Sequence, residues 1–257
     1  MAVVGSVGSL SDWPPGGARR AIPVVADDGG PAGARGAAAS VLSVANVSFR
    51  YDPDGEWAVR QVALDVAPGE SVALMGPSGC GKSTLLLLCA GVLGLTDGSI
   101  RVNGQELAGM SADRRADVRR VGLGLVFQFG ELVAELSLRD NVALVAELAG
   151  ASRHAALDRA TALLEAVGLG EVAEAKPGQV SGGQAQRCAI ARAMAHEPRL
   201  VLADEPTGAL DQANSRVVLE LLVSLCRDQQ AALLVATHDP TVAAACGRRL
   251  SMVDGRL

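Results

Sequence analysis

The chain has 257 residues, of which 49% are hydrophobic, and this supplies enough apolar material for one large domain or two small ones. Its formal net charge is −5 and its pI is about 5.3, so composition excludes a globally basic surface of the kind that holds nucleic acid or an anionic membrane. The longest uncharged apolar stretch, Leu85 to Leu95, is too short to span a bilayer, so we expect no transmembrane helix.

Residues 1 to about 40 differ in composition from the rest of the chain. They are rich in Ala, Gly and Pro and have no apolar periodicity, so we expect them to be disordered. A secretory signal would need a basic start and a continuous apolar centre, whereas here Arg19 and Arg20 follow two prolines. A start site assigned too far upstream explains the segment equally well.

The regular part of the chain begins near Val41 with a predicted β-hairpin. Strand-like runs cover Leu42 to Arg50 and Ala58 to Val66, and the turn-forming sequence Asp52-Pro53-Asp54-Gly55 separates them. A third β-like run, Ser71 to Met75, follows. The hairpin therefore leads into the strand that precedes the most informative motif.

That motif is a phosphate-binding loop between a strand and an apolar helix-like run, and it consists of Gly76, Pro77, Ser78, Gly79, Cys80, Gly81, Lys82, Ser83 and Thr84. Its small residues let main-chain N–H groups turn inward on nucleotide phosphates, while Lys82 supplies a compact positive charge and Ser83 offers a hydroxyl to Mg²⁺. The N-terminus of the following helix adds its dipole. The alternative is a Gly-rich turn that merely ends a strand, but such a turn requires neither the lysine nor the hydroxyl.

The five cysteines are odd in number and lack metal-ligand spacing, which favours a reduced, cytosolic protein over a disulfide scaffold or a zinc site. Cys80 lies within the phosphate loop near Lys82 and a helix start, two features that lower the pKa of a thiol. Its reactivity is therefore a hypothesis. The other four are expected to be small core residues: Cys89, Cys188, Cys226 and Cys246.

Further β-like runs alternate with helix-like periods along the remaining chain. They cover Ser99 to Val102, Val121 to Phe127, Leu200 to Ala203, Ala232 to Thr237 and Arg249 to Val253. This alternation predicts an α/β fold with a largely parallel sheet and helices on both faces. The segment from about Leu138 to Val167 is helix-like throughout and interrupts that pattern, as an inserted helical subdomain would.

The run Leu200 to Ala203 ends in two carboxylates and a proline, which is the pattern of a Walker B motif. A buried strand can present Asp204 at its carboxyl end to the Mg²⁺ shell, and Glu205 is placed to polarise a water in line with the γ-phosphate. The alternative is that both carboxylates only cap the turn before Pro206. The phosphate loop upstream favours the catalytic interpretation.

The third motif is Val180-Ser181-Gly182-Gly183-Gln184, ahead of an Ala-rich helix-like run that leads to the Walker B strand. Ser181 and the glycine N–H groups would begin a helix and form a second anion-binding terminus, unless Ser181 is an ordinary N-cap. With these motifs in this order, the chain resembles the ABC ATPase family. That family's signature usually begins with Leu, so Val180 is a mild departure, whereas Ser181, Gly182 and Gly183 retain the phosphate-contacting part.

The resemblance assigns roles to four further residues. Tyr51, the only tyrosine, matches the aromatic residue that stacks on adenine. Gln128 matches the Q-loop glutamine that senses Mg²⁺ and the transporter. Asp211 matches the D-loop, which crosses to the partner subunit, and His238 matches the switch histidine near the γ-phosphate.

The resemblance covers nearly all of Val41 to Leu257 and implies one ABC ATPase domain. Its fold would be a P-loop NTPase (RecA-like) core with an N-terminal antiparallel β subdomain and a helical subdomain inserted at about residues 129 to 185. It also implies an ATPase that pairs head to tail with a second copy of itself. Two ATP molecules with Mg²⁺ would each lie between Lys82 of one subunit and Ser181 of the other.

Three strings look most like those of the lipoprotein-release, macrolide-export and cell-division ATPases: Gly124 to Phe129, Leu202 to Asp211 and Asp254 to Leu257. Those ATPases pair with four-span integral membrane permeases, which implies a cytoplasmic protein that is peripheral on the inner face of the cell membrane. The chain ends soon after His238, so no C-terminal regulatory domain is expected. Three departures from the family pattern occur, at Gly130-Glu131, Ala134 and Ala185. The departures at Gly130-Glu131 and Ala134 bear on the partner and the cargo.

A basic cluster in the middle of the chain consists of Arg114, Arg115, Arg119 and Arg120 and invites a nucleic-acid interpretation. Acidic residues interleave it and no aromatic residue accompanies it, so a solvated helix face is favoured. The alternative function is a soluble ABC ATPase that acts on nucleic acid or the ribosome without transport, although such proteins usually have paired cassettes or long coiled-coil insertions. A P-loop kinase or small GTPase would explain neither Ser181 to Gln184 nor His238. The sequence does not predict the cargo or the direction of transport.

Overall fold

The computed structural model describes residues 40–128 and 131–257, so the predicted disorder of residues 1 to about 40 lies almost wholly outside the described residues. The smaller of two sheets is antiparallel and contains β1 (Leu42–Phe49), β2 (Val59–Val66), β4 (Asp97–Val102) and β5 (Gln105–Glu106). Their order is β2-β1-β4-β5. The predicted hairpin is present, with Leu42 paired to Val66 and Phe49 paired to Val59.

The larger sheet has five strands, and every adjacent pair in it is parallel. The strands are β3 (Ser71–Met75), β6 (Leu123–Val126), β7 (Leu200–Asp204), β8 (Ala232–Thr237) and β9 (Arg248–Ser251). They lie in the order β6-β7-β8-β3-β9. Because parallel strands end at the same edge, the residues that follow β3, β7 and β8 meet along one line. This edge carries most of the residues singled out by the sequence.

The helices are α1 (Lys82–Cys89), α2 (Ala112–Gly122), α3 (Leu138–Leu148), α4 (Arg153–Ala166), α5 (Gly182–Met194), α6 (Gln212–Asp228) and α7 (Pro240–Ala244). Short 3-10 turns cover Gly170–Val172 and Pro177–Gln179. Side chains that satisfy first-turn N–H groups begin six of these helices: Ser111, Ser137, Ser152, Ser181, Asp211 and Asp239.

Two hydrophobic clusters cover the two faces of the parallel sheet. Along β7, Leu200 and Leu202 face the cluster built with the antiparallel sheet and α1, whereas Val201 and Ala203 face the cluster built with α3 to α6. This alternation is what a strand buried on both faces requires. The predicted sheet with helices on both faces is therefore confirmed.

Two details of the predicted elements are wrong. Val121 and Gly122 belong to the last turn of α2 rather than to a strand, and β6 begins at Leu123, whose N–H bonds the carbonyl of Arg119. The helical run is also not continuous, because α3 ends near Gly150, which has a φ of 105°, and Ser152 caps a new helix. A residue with that backbone conformation ends a helix rather than continuing it.

The described residues between β6 and β7 form only helices and turns, with α3 and α4 packed against α5. The inserted helical subdomain at about 129 to 185 stays a prediction about domain boundaries, and α5 continues beyond it to Met194. Nowhere in residues 40–128 and 131–257 is a helix both long and apolar enough to cross a membrane.

Candidate active site

The phosphate-binding loop connects β3 to α1 and rests on the chain's last residues. Met75 accepts a hydrogen bond from the N–H of Met252, and Cys80 accepts one from the N–H of Gly255. Gly81 has a φ of 105°, and a Cβ placed there would lie 2.1 Å from the carbonyl oxygen of Ala58. Glycine is therefore required at this position both for the backbone conformation and for space.

α1 begins at Lys82 with Gly81 as its N-cap, and this cap has no side chain to bond the first N–H groups. Those N–H groups point out of the helix end and carry its positive dipole, so they suit a phosphate oxygen. The Nζ of Lys82 donates to the carbonyl oxygens of Gly76 at 2.8 Å and Pro77 at 3.1 Å. The lysine is buried and lies across its own loop.

Asp204 ends β7 and faces the first turn of α1. Its carboxylate lies close enough to the Ser83 hydroxyl for that group to influence its pKa, and its Oδ1 is buried and has no hydrogen-bond partner among the described residues. Burial raises the pKa of Asp204, with Glu205 adding to the rise, while Ser83 and Lys82 oppose it. A buried carboxylate oxygen beside a serine hydroxyl is a donor pair that suits a hard divalent cation.

Glu205 follows Asp204 in a left-handed backbone conformation, with a φ of 44°. Its N–H donates to the carbonyl of Ala236 on β8, so the turn is fixed to the neighbouring strand. Its Oε1 accepts a hydrogen bond of 2.9 Å from Nδ1 of His238, and the same oxygen lies 4.0 Å from Nζ of Lys82. A strained residue that is held in this way is typical of a functional site.

Gln128 lies at the end of the segment that follows β6. A Cβ added to Gly208 would be 2.9 Å from Nε2 of Gln128 and 3.5 Å from Cβ of Glu205. The glutamine side chain therefore lies against the turn that follows the Walker B motif. The lack of a side chain at Gly208 leaves room for it.

Tyr51 follows β1 and reaches the first turn of α1. Its hydroxyl and Oγ1 of Thr84 are hydrogen-bonded at 3.1 Å, and its ring packs edge-on against Phe49 with centroids 5.0 Å apart. The side chain is 65% exposed. A fixed aromatic ring with a free face beside the phosphate loop is suited to stacking on a base.

The signature motif forms the beginning of α5. Ser181 Oγ accepts from the N–H of Gln184, and Gln184 Oε1 accepts from the N–H of Ser181, which is a complete capping box. A Cβ at Gly183 would lie 3.0 Å from Oδ1 of Asn214, whose N–H donates to Asp211. The signature turn and the Asp211 turn are therefore neighbours. Within the described chain, neither hydrogen-bonds to the phosphate loop.

The structure thus divides the predicted residues into two groups. The P-loop residues from Gly76 to Thr84 lie at one edge of the parallel sheet with Tyr51, Gln128, Asp204, Glu205 and His238. Ser181, Gly182, Gly183 and Gln184 lie with Asp211 in a second group.

Two sequence interpretations need correction. Cys80 is 6% exposed, and this burial argues against a readily reactive thiol. The other four cysteines are buried core residues, as predicted.

The basic cluster on α2 is not simply a solvated face. Arg115 and Arg119 donate to the carbonyl of Gly91, just after α1, and Arg120 donates to the carbonyl of Leu148 at the end of α3. Cations at a helix C-terminus are stabilising, so these arginines tie α2 to both helices.

Sequence reasoning missed one feature of the site. A cavity of about 440 Å³ opens beside the phosphate loop, and Arg249 and Ser251 of β9 line it together with His238 and Pro77. Neither β9 residue belongs to a motif, so only the strand order β8-β3-β9 brings them to the site.

Comparisons with known proteins agree with this geometry. A family model described as ABC transporter matches residues 59–208. The lipoprotein-releasing system ATP-binding protein LolD 1 of Rhodospirillum rubrum is 44% identical over 194 residues, which are 76% of this chain and 86% of that protein. LolD 2 of Caulobacter vibrioides is 46% identical over 200 residues, which are 77% of this chain and 87% of that protein.

A solved dimeric structure of the ATP-binding cassette MJ0796, bound to ADP and Pi, superposes with a TM-score of 0.77 at 33% identity. The match covers 84% of this chain and 96% of that one. Fold and site together define a nucleotide-binding cassette with a P-loop. The chain belongs to the ABC transporter family and is an ATP-binding ATPase, and the predicted similarity to the lipoprotein-release branch is confirmed.

Proposed function

We propose that this ATPase forms a head-to-tail dimer around two Mg-ATP and drives conformational change in a four-span membrane permease. The hydrogen bond between Glu205 and His238, next to Lys82, is the observation that carries the catalytic part. The names of its relatives, which are ATP-binding proteins of lipoprotein-releasing systems, support the transport part. The protein would then be cytoplasmic and held at the inner face of the membrane by its permease.

In this proposal Glu205 is the general base that takes a proton from the attacking water. Its carboxylate is oriented by Nδ1 of His238 and follows a β-strand that also carries Asp204. Lys82 and the N–H groups at the start of α1 bind phosphate oxygens and offset their charge. His238 keeps the base in place and contacts the γ-phosphate. General-base catalysis of this kind contributes about 10² to 10⁴ in rate.

The residues present fit Mg²⁺. The unpartnered Oδ1 of Asp204, the hydroxyl of Ser83 and the amide oxygen of Gln128 are hard oxygen donors at one edge of the sheet. Among the described residues no cluster of three His, Cys, Asp or Glu side chains could hold a metal, so a cation here would need hydroxyl, amide and phosphate oxygens besides the carboxylate of Asp204. When bound, Mg²⁺ neutralises charge on the phosphates.

The dimer explains why the signature residues form a group of their own. Ser181 and the first N–H groups of α5 form an anion-binding helix end, yet they do not hydrogen-bond to the described phosphate loop of the same subunit. In a head-to-tail dimer, Ser181 of one subunit lies at the γ-phosphate of the ATP that the other subunit's phosphate loop holds. Asp211 of the first subunit lies at that same loop. Tyr51 stacks on the adenine of its own subunit's ATP.

The alternative, a soluble ABC ATPase that acts on nucleic acid, receives little support from the α2 arginines. Arg115, Arg119 and Arg120 already donate to main-chain carbonyls, and Arg120 also pairs with Asp117. Side chains engaged in this way are not free to neutralise phosphates.

The test is to purify the Glu205→Gln protein with ATP from gently solubilised membranes and to identify what accompanies it by mass spectrometry. A multi-span permease that is enriched over a Lys82→Ala control supports the proposal and points to the cargo. Recovery of ribosomes or DNA-associated proteins, with no membrane protein, supports the soluble alternative instead.

A further inference from the structure

Gln186 of α5 contacts the segment that carries Gln128. Its side chain is 2% exposed, and its Nε2 donates a hydrogen bond of 2.9 Å to the main-chain oxygen of Phe127, the residue before Gln128. The donor and the acceptor lie 59 positions apart in sequence. The contact therefore belongs to the packing of the helical region on the core and not to the local structure of either segment.

A second side chain of α5 contacts the same segment beyond Gln128. Nη1 of Arg192 donates a hydrogen bond of 2.7 Å to the main-chain oxygen of Glu131. α5 therefore bonds the carbonyl that precedes Gln128 and a carbonyl shortly after it. Two donors on one helix hold these two carbonyls, of Phe127 and of Glu131, more closely than either would hold one alone.

Gln128 in turn lies against the turn that carries the proposed base. Its amide occupies the space over Gly208, in the turn that begins with Glu205. A displacement of Phe127 would therefore move a side chain that packs on this turn. Well-packed regions transmit small shifts rather than absorbing them. A shift of α5 would therefore reach, through Phe127 and Gln128, the turn that carries Glu205.

We propose that Gln186 is a positioning residue that sets Gln128 from the signature helix. This inference rests on the proposed function, in which Gln128 serves the ATP of its own subunit and Ser181 serves the ATP of the partner. Since Ser181 begins the same helix that carries Gln186, contact of the signature with one ATP is coupled to the placement of Gln128 at the other.

The first test replaces Gln186 by Met, which has a similar length and cannot donate a hydrogen bond. We expect kcat to fall about 10-fold, as is typical when a partner of a metal-site ligand is lost. The affinity for ATP should stay within about twofold, because the phosphate loop is unchanged, and the Mg²⁺ concentration for half-maximal rate should rise. Gln186→Leu, which also cannot donate a hydrogen bond, should behave alike if the methionine variant folds poorly.

Arg187→Met is the matched control. Arg187 lies on the same helix and also donates to a main-chain oxygen, that of Val167 just after α4, at 2.7 Å. Its loss should lower the melting temperature without changing kcat or the Mg²⁺ requirement. If Gln186→Met lowered only the melting temperature, as this control does, Gln186 would be a core residue and the inference would be wrong.

A double-mutant cycle with Gln128→Ala gives the sharper answer. If Gln186 acts through Gln128, the variant that carries both changes should have the kcat of Gln128→Ala alone. Adding the control change Arg187→Met to Gln128→Ala should also leave that kcat unaltered. Multiplied losses in the double variant would contradict the inference. If Gln128→Ala alone kept the full rate, the proposed role of Gln128 would fail and this inference with it. If Gln128→Ala lowered kcat and Gln186→Met did not, only the inference about Gln186 would be overturned.

Discussion

His238 donates from Nδ1 to Oε1 of Glu205 at 2.9 Å, and Nζ of Lys82 lies 4.0 Å from the same oxygen. Glu205 and His238 directly follow the neighbouring strands β7 and β8, and Lys82 begins α1 after the loop that follows β3, the next strand in the sheet. The sheet edge therefore brings a lysine, a carboxylate and an imidazole together although they are distant in sequence. One oxygen of the carboxylate proposed as the general base therefore faces both an imidazole donor and a lysine charge.

Replacing His238 by Ala should lower kcat by about 100-fold or more, because Glu205 loses the partner that orients it. ATP affinity should change little, since the P-loop contacts remain. Steady-state phosphate release and equilibrium binding of a fluorescent ATP analogue separate the two effects. His154→Ala is the control, because His154 lies on α4 with its side chain largely exposed. Equal turnover in the two variants would contradict the assignment of His238.

Replacing Lys82 by Ala should weaken nucleotide binding itself. A lysine that bonds phosphate oxygens contributes about 1.5 to 3 kcal/mol as a charged donor, so Kd should rise by about 10- to 150-fold. Lys176→Ala removes an exposed lysine outside the phosphate-binding loop and provides the control. Unaltered affinity in Lys82→Ala would count against the phosphate-binding loop. Titration calorimetry with ATP gives the comparison directly.

Asn141 should be important for stability because it fixes the loop before α3. It is 1% exposed; its Oδ1 accepts from the N–H of Val133, and its Nδ2 donates to the carbonyls of Val133, Leu136 and Ser137. Asn141→Ala leaves these groups without their partner, which should cost about 2 to 4 kcal/mol in unfolding free energy. Urea unfolding measures the loss. Asn214→Ala, at the exposed start of α6, is the comparison, and an equal loss there would contradict the prediction.

His196 should make stability depend on pH. Burial lowers its pKa from 6.5 to about 4, while its Nε2 bonds the carbonyl of Leu123. The unfolded chain therefore binds the extra proton more readily than the folded one, so the contribution is present above pH 6.5 and is lost as pH falls toward 4. The loss amounts to up to about 3 kcal/mol. Urea unfolding of His196→Gln between pH 7 and pH 4 should show a smaller decline than the native protein; parallel declines would rule out His196 as the cause.

The catalytic edge was predictable because its residues belong to motifs with fixed local spacing. The P-loop requires glycines and a lysine between a strand and a helix, and a buried strand followed by two carboxylates identifies Asp204 and Glu205. Parallel strands then place these residues together without further information. The N-cap position of Ser181 was predictable for the same local reason, since a serine followed by glycines can begin a helix.

What the sequence did not predict depends on contacts between distant segments. The hydrogen bond from Gln186 to Phe127 and those from α2 arginines to the end of α1 join residues far apart in the chain, and no local pattern marks them. The placement of Val121 failed because an apolar residue at a helix end resembles the start of the strand that follows it. The burial of Cys80 follows from its packing beside Gly76.

In the proposed mechanism Glu205 is the catalytic base of an ATP-dependent dimer. Glu205→Gln should bind ATP with native affinity, lose at least about 100-fold in turnover and accumulate as a dimer with ATP. Turnover and light-scattering mass should be measured on the same sample, with Glu220→Gln as the control because Glu220 lies exposed on α6. A monomer-to-dimer shift on adding ATP, without phosphate release, is the predicted result. Full turnover in Glu205→Gln would show that Glu205 is not the base.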